Sequence, residues 1–140
     1  MIKVGIVKTV NEEKCTGRVL FPDTGQLSAE LQIGYRGTCK SKDYWIPEIE
    51  EQVICGFTEQ KVGYILASVY SDEDVPPVSN KRKRHMTFVD GTVIEYDTST
   101  STLTIDATGP INIKGNINVQ GDVIADGISL KNHTHREQIL

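Results

Sequence analysis

Short runs of alternating apolar and polar residues, separated by turn residues, fill the first half of the chain. The runs cover Lys3–Val10, Gly17–Phe21, Leu27–Ile33, Gln52–Phe57 and Val62–Tyr70. Alternation with a period of two residues is typical of half-buried strands, and no stretch keeps a helical period for ten residues. About five strands in roughly 70 residues are typical of a small barrel, most commonly the five-stranded OB-fold. The pattern therefore predicts an all-β chain with an OB-fold-like barrel over residues 1–72.

A change of composition marks the end of this predicted barrel. The segment 71–84 reads SDEDVPPVSNKRKR, with a proline pair and four consecutive cations. Such a segment is typical of an extended and exposed connector, so we predict a linker over residues 73–84. Two further strand-like runs, 85–97 and 103–106, follow it. Asp90-Gly91 within the first of them indicates a hairpin.

Four glycines recur every six residues near the end of the chain. They are Gly109, Gly115, Gly121 and Gly127, and their units read GPINIK, GNINVQ, GDVIAD and GISLKN. Each unit offers about two apolar side chains at alternate positions, which one face of a strand can bury. A segment with so few apolar side chains has no second layer of its own to cover them. We therefore predict that residues 85–140 form an intertwined oligomer, most simply a homotrimer with three-fold symmetry.

The repeats run into His133-Thr134-His135. Residues two apart on a strand point to the same side, so both histidines can face a three-fold axis. Three chains would then supply six imidazole nitrogens, which suit an octahedral first-row metal such as iron and disfavour four-coordinate zinc. A site filled by protein ligands has no open position for substrate, so the sequence predicts a structural ion. His85 is expected to be a junction residue.

Charge and short motifs narrow the range of functions. The formal net charge is −4, with acidic residues in excess in both 1–72 and 85–140, so we expect no nucleic-acid binding by bulk electrostatics. The sequence has no phosphate-binding P-loop motif, so we expect no nucleotide. Three widely spaced cysteines are expected to be reduced thiols. We find no signal-peptide pattern and no apolar run of membrane-spanning length, and we expect a soluble chain.

Two other functions compete with an assembly role. One is an OB-fold nucleic-acid binder that uses Lys81–Arg84, although such a binder needs aromatic residues on the face of the barrel. The other is an acyltransferase of the hexapeptide-repeat kind, with His133 or His135 as general base. That family is known to use about three hexads per turn, so the four units here would make little more than one turn.

The order of these parts resembles the baseplate assembly protein V family, the central spikes of contractile phage tails, R-type bacteriocins and related injection particles. The resemblance covers nearly the whole chain. It is carried by the WIPEIEEQV stretch at 45–53, the ASVY stretch at 67–70, the proline pair, the glycine-spaced repeats and the SLKNHTH stretch at 129–135. The last of these stretches is the most specific.

The resemblance implies an OB-fold collar, a trimeric β-helix and a pointed tip, placed here at 128–140, in which His133 and His135 of three chains hold one iron ion. It implies a non-enzymatic, cell-puncturing spike whose barrel is seated on the baseplate hub or tail tube, and whose tip meets the target cell envelope. Its location would be the tail tip of a virion or of an extracellular tail-like particle, after assembly in the bacterial cytoplasm.

Overall fold

The computed structural model describes residues 1–136 and contains only strands as regular elements. The chain divides into two compact units, with the boundary between Asn80 and Lys81. This boundary falls inside the segment predicted as a linker. The last four residues of the predicted tip, 137–140, lie outside the described residues.

The first unit is a closed five-stranded barrel. Its strands are β1 (Ile2–Asn11), β2 (Thr16–Phe21), β4 (Leu31–Ile33), β5 (Gln52–Phe57) and β6 (Gly63–Ser68), with a two-residue strand β3 (Gln26–Leu27) added to the edge of β2. The strands follow one another in the order β1-β5-β6-β4-β2, and β2 pairs with β1 to close the ring. Only the β4–β6 pair is parallel. Closure leaves few open strand edges, and the prediction of an OB-fold-like barrel is confirmed at this level.

The core of the barrel is made by inward-facing residues of alternate strand positions. Val7, Val19, Val53, Cys55 and Ile65 are fully buried, and Phe21, Leu31 and Ile33 are nearly so. Burial raises the pKa of the Cys55 thiol to about 11, so this cysteine stays protonated near neutral pH. The alternation in the sequence thus corresponds to the inner and outer faces of one small barrel.

The single strand predicted over Leu27–Ile33 is wrong, because residues 28–30 leave the sheet between β3 and β4. Ser28 explains the break. Its hydroxyl accepts a hydrogen bond from the Val19 amide at 2.8 Å, and its own amide donates to the Val19 carbonyl. The Ser28 carbonyl also accepts from the Arg18 side chain. These bonds replace a regular ladder and turn the chain toward β4.

The second unit begins with a three-stranded antiparallel sheet. Its strands are β7 (Lys83–Thr87), β8 (Val93–Asp97) and β9 (Thr102–Asp106), and the predicted hairpin at Asp90-Gly91 joins the first two. The last two residues of the predicted linker 73–84, Lys83 and Arg84, belong to strand β7. A small hairpin follows later, formed by β10 (Ile124–Ala125) and β11 (Ile128–Ser129). Residues 107–123 lie in no strand of the described chain, so a β-helix stays a prediction.

Replacing Ile65 by alanine is expected to lower the free energy of unfolding of the barrel by about 2–5 kcal/mol, because a cavity opens in a fully packed core. Val62→Ala is the control, since Val62 is 49% exposed and should change stability by less than about 0.5 kcal/mol. Denaturant unfolding followed by the fluorescence of Trp45, the one tryptophan of the sequence, measures both. Equal effects of the two substitutions would contradict this account of the core.

Candidate functional site

The sheet β7-β8-β9 exposes its apolar face and forms its polar hydrogen bonds on the opposite face. Met86, Ile94 and Ile105 lie side by side across the three strands and are 55%, 39% and 52% exposed. Tyr96 and Leu103 extend this row on the same face. A contiguous apolar surface of this kind marks an interaction surface.

The opposite face holds a network around Glu95. The Glu95 carboxylate accepts a hydrogen bond from His85 Nδ1 at 2.9 Å and lies 3.3 Å from the ammonium of Lys83. The bond from His85, followed by the contact with Lys83, lowers the pKa of Glu95. His85 Nε2 lies 2.6 Å from the Thr87 hydroxyl. His85 is therefore part of the sheet's own polar network, and Lys83 is paired within the unit.

Asp90 fixes the point at which the chain leaves the sheet and enters the repeats. One oxygen of its carboxylate accepts from the Thr92 amide at 3.0 Å, and the other accepts from the Thr108 hydroxyl at 2.8 Å. These bonds lower the pKa of Asp90. The turn between β7 and β8 is thereby tied to the residue that precedes the first repeat glycine.

Residues 109–123 of the repeats form no ladder within the described chain, while the last two units contain the hairpin β10–β11. Gly115 and Gly121 have φ values of 125° and 123°, which side-chain-bearing residues rarely adopt. The glycines that open the second and third units thus share nearly the same φ value, whereas Gly127 has a φ of 80°. The apolar side chains of the first two units stay in solvent, with Ile113 64% and Ile117 63% exposed.

Asp122 organises the small hairpin at the end of the repeats. Its carboxylate accepts hydrogen bonds from the amides of Val123 and Lys131, both at 2.9 Å, and from the Ser129 hydroxyl. The Ser129 and Lys131 bonds are the main reasons why the pKa of Asp122 is lowered. Sequence reasoning missed this role and that of Asp90; the available signal was an aspartate followed at a distance by serine or threonine near a turn.

The side chains of His133 and His135 are in contact with each other. Their Nε2 atoms lie 3.1 Å apart, and the two rings meet edge to face. His133 Nδ1 lies 2.5 Å from the Leu130 carbonyl, which assigns the ring proton of neutral His133 to Nδ1. The Nε2 lone pair of His133 is then directed toward His135.

This arrangement fits a pair of metal ligands. Two nitrogens that bind the same ion at about 2.1 Å, with a right angle between the two bonds, lie about 3 Å apart. The Nε2 atoms of His133 and His135 are separated by 3.1 Å. A backbone carbonyl that holds the other ring nitrogen is a frequent partner of metal-binding histidines. Within residues 1–136 no group of three or more histidine, cysteine or acidic side chains converges as a metal site.

None of the described residues forms a helix long and apolar enough to cross a membrane.

A search against protein-family models finds none that matches this chain. Among curated proteins, the chain is similar to the spike protein of Escherichia phage P2, with 31% identity over 107 residues. The aligned part is 75% of this chain and 50% of the phage P2 protein, so the chain spans about half the length of this relative. The predicted resemblance is confirmed at the level of a phage spike protein, and the narrower assignment to baseplate protein V stays a prediction.

Asp122→Asn is expected to speed amide hydrogen exchange at Val123 and Lys131 severalfold, because a neutral amide accepts these bonds more weakly than a carboxylate. The sign of the pH dependence follows from the lowered pKa of Asp122. The stabilisation is complete above the usual aspartate pKa and is lost as the pH falls through the lowered value. The protection of these two amides, which is the intrinsic exchange rate at each pH divided by the observed rate, should therefore fall in acid in the wild-type hairpin, and the variant should lack this acid step.

Asp126→Asn is the matched control, because the Asp126 carboxylate accepts no hydrogen bond among residues 1–136. An equal change of exchange in the two variants would contradict the role given to Asp122.

Proposed function

We propose that this chain is a non-enzymatic central spike at the tip of a contractile phage tail or of a tail-like particle such as an R-type bacteriocin. The observation that carries the proposal is the row of exposed apolar side chains along the repeats, in a chain similar to a phage spike protein. A single copy leaves that row in water, and closing it requires partner chains with the same repeat. The simplest closed arrangement is a homotrimer around a three-fold axis.

The mechanical function follows from this assembly. In an intertwined β-helical trimer each strand is held by the other two chains, so an axial load is shared by three backbones. Polar side chains such as Asn112, Asn116 and Asn118 would face water while the isoleucines fill the axis. The pointed end would pierce the target cell envelope, driven by contraction elsewhere in the particle.

The barrel is the part suited to holding the spike in place. It closes on its own core and therefore has a stable outer surface that does not depend on the repeats. We propose that it seats the spike on the baseplate hub or tail tube. The chain would be a virion component, or a component of an extracellular particle, at the tail tip, and nucleic acid and nucleotides would not be among its partners.

His133 and His135 are the residues that would hold a metal ion at the tip. The separation of their Nε2 atoms and the carbonyl contact at His133 Nδ1 support this assignment. Three copies would bring six imidazole nitrogens together, a donor set that suits iron. When bound, the ion would supply a cross-link between chains at the end where strands would otherwise fray.

Ile117→Asp is expected to abolish the trimer, because it places a charge where the three chains would bury apolar side chains. The neighbouring Asn116→Asp adds the same charge on the side predicted to face water and should leave the trimer intact. Native mass spectrometry of the two full-length variants measures the number of chains. A trimer that survives Ile117→Asp unchanged would contradict burial of the repeats.

Metal analysis of the native protein is expected to find one iron ion per three chains. Replacing both His133 and His135 by alanine should remove the ion and loosen the tip while the trimer remains, since most of the buried surface would lie in the repeats. His85→Ala is the control and should keep the ion, because His85 is bonded to Glu95 in the sheet. Stoichiometric metal in the double variant would exclude this site.

A further inference from the structure

An open groove of about 760 Å³ lies on the outside of the barrel, and the spike function does not account for it. One wall is formed by Leu66, Ala67 and Ser68 at the end of β6. The other wall is the loop after β4, with Tyr35, Tyr44 and Trp45 among its lining residues. The groove is thus lined largely by aromatic and small side chains.

Ring stacking and hydrogen bonds hold the aromatic wall together. The rings of Tyr35 and Tyr44 are stacked with an interplanar angle of 6°, and the Tyr35 hydroxyl donates to the Trp45 carbonyl at 2.7 Å. Trp45 Nε1 donates to the Gly34 carbonyl at 3.0 Å. Tyr44 remains 65% exposed, so its ring can take part in a further contact. A preformed aromatic groove of this kind suits an extended, proline-containing segment.

The loop that forms this wall is also basic. Between residues 34 and 45 it carries Arg36, Lys40 and Lys42 against Asp43, a net charge of +2. Arg36 lines the groove and is already paired with Asp43. Lys40 and Lys42 do not line the groove, but both are exposed and make no ion pair within residues 1–136, and Lys42 lines a neighbouring hollow that shares Tyr35 and Tyr44 with it. An occupant that also contacts this loop is therefore acidic as well as proline-rich.

The segment 72–78 of the chain itself has both properties. Asp72, Glu73 and Asp74 give it three negative charges, and Val75-Pro76-Pro77-Val78 follows directly. The acidic part is held in a turn, because the Ser71 hydroxyl accepts from the amides of Glu73 and Asp74. The proline pair favours an extended polyproline conformation. Val75 is 68% exposed, so this apolar stretch is not covered by its own barrel.

We propose that segment 72–78 of one copy docks in the aromatic groove of a second copy, with its acidic turn near Lys40 and Lys42. Docking within the same chain is disfavoured. The wall at Leu66–Ser68 lies only a few residues before the segment, so the stiff proline pair would have to reverse immediately, and none of residues 71–80 lines the groove. The proposal rests on the proposed function because it needs an oligomer to supply the second copy.

Zero-length cross-linking tests the contact on the full-length chain. Unlabelled and ¹⁵N-labelled copies are co-refolded, and a carbodiimide then couples lysine amines to neighbouring carboxylates. We expect cross-links between Lys40 or Lys42 and residues 72–74 that join one labelled and one unlabelled chain. Lys61, an exposed lysine on the turn between β5 and β6 and not on the loop 34–45, should give none with these residues.

Two tyrosine variants show whether the groove is responsible. Tyr44→Ala should reduce the cross-link yield and speed proteolysis within 72–80 by roughly tenfold, equivalent to about 1.4 kcal/mol. Tyr64→Ala removes a partly exposed tyrosine that does not line the groove and should change neither. Equal effects of the two substitutions would overturn the proposal.

The outcomes separate this proposal from the proposed function. A trimer without these cross-links, or with cross-links confined to chains of one label, would overturn the docking and leave the spike standing. A monomeric protein would overturn both.

Discussion

The apolar side chains that a single copy leaves in water are the constraint on which the second half of this molecule depends. In the barrel, alternate residues of five strands point into one shared core, and the chain covers them by closing on itself. In the repeats and on one face of the sheet β7-β8-β9, the same alternation finds no covering layer in the described chain. In the proposed trimer the hydrophobic effect would act between copies, so that ordering of the repeats and association would be one event.

Hydrogen bonds to two aspartates order parts of the second unit within a single chain. Asp90 ties the turn between β7 and β8 to Thr108, just before the repeats, and Asp122 holds the hairpin formed by the last two repeat units. Each carboxylate accepts several hydrogen bonds and has a lowered pKa, so each is charged at neutral pH. The beginning of the repeat segment and its last two units are thus ordered by bonds within a single chain. His133 and His135 follow shortly after Lys131, whose amide is bonded to Asp122.

Much of the fold could be predicted from the sequence because local pattern and long-range structure agree there. Alternation located the strands of the barrel, and Asp90-Gly91 located a hairpin. The break at Ser28 was missed because it depends on bonds to Val19, which a local pattern does not reveal. The role of Asp122 was missed for a related reason, since its partners Ser129 and Lys131 lie seven and nine residues away. The spacing of His133 and His135 indicated that their side chains could lie on one side of the chain, but the 3.1 Å approach of their Nε2 atoms depends on the local conformation after the hairpin. Their role as metal ligands stays a prediction.

Gly115 and Gly121 have nearly the same φ, 125° and 123°, in a region that a residue with a Cβ rarely adopts. The second and third hexads therefore start from the same glycine conformation. In the proposed spike, a hexad gained or lost between these two glycines would change the length of the repeats by a fixed step and leave the barrel as it is.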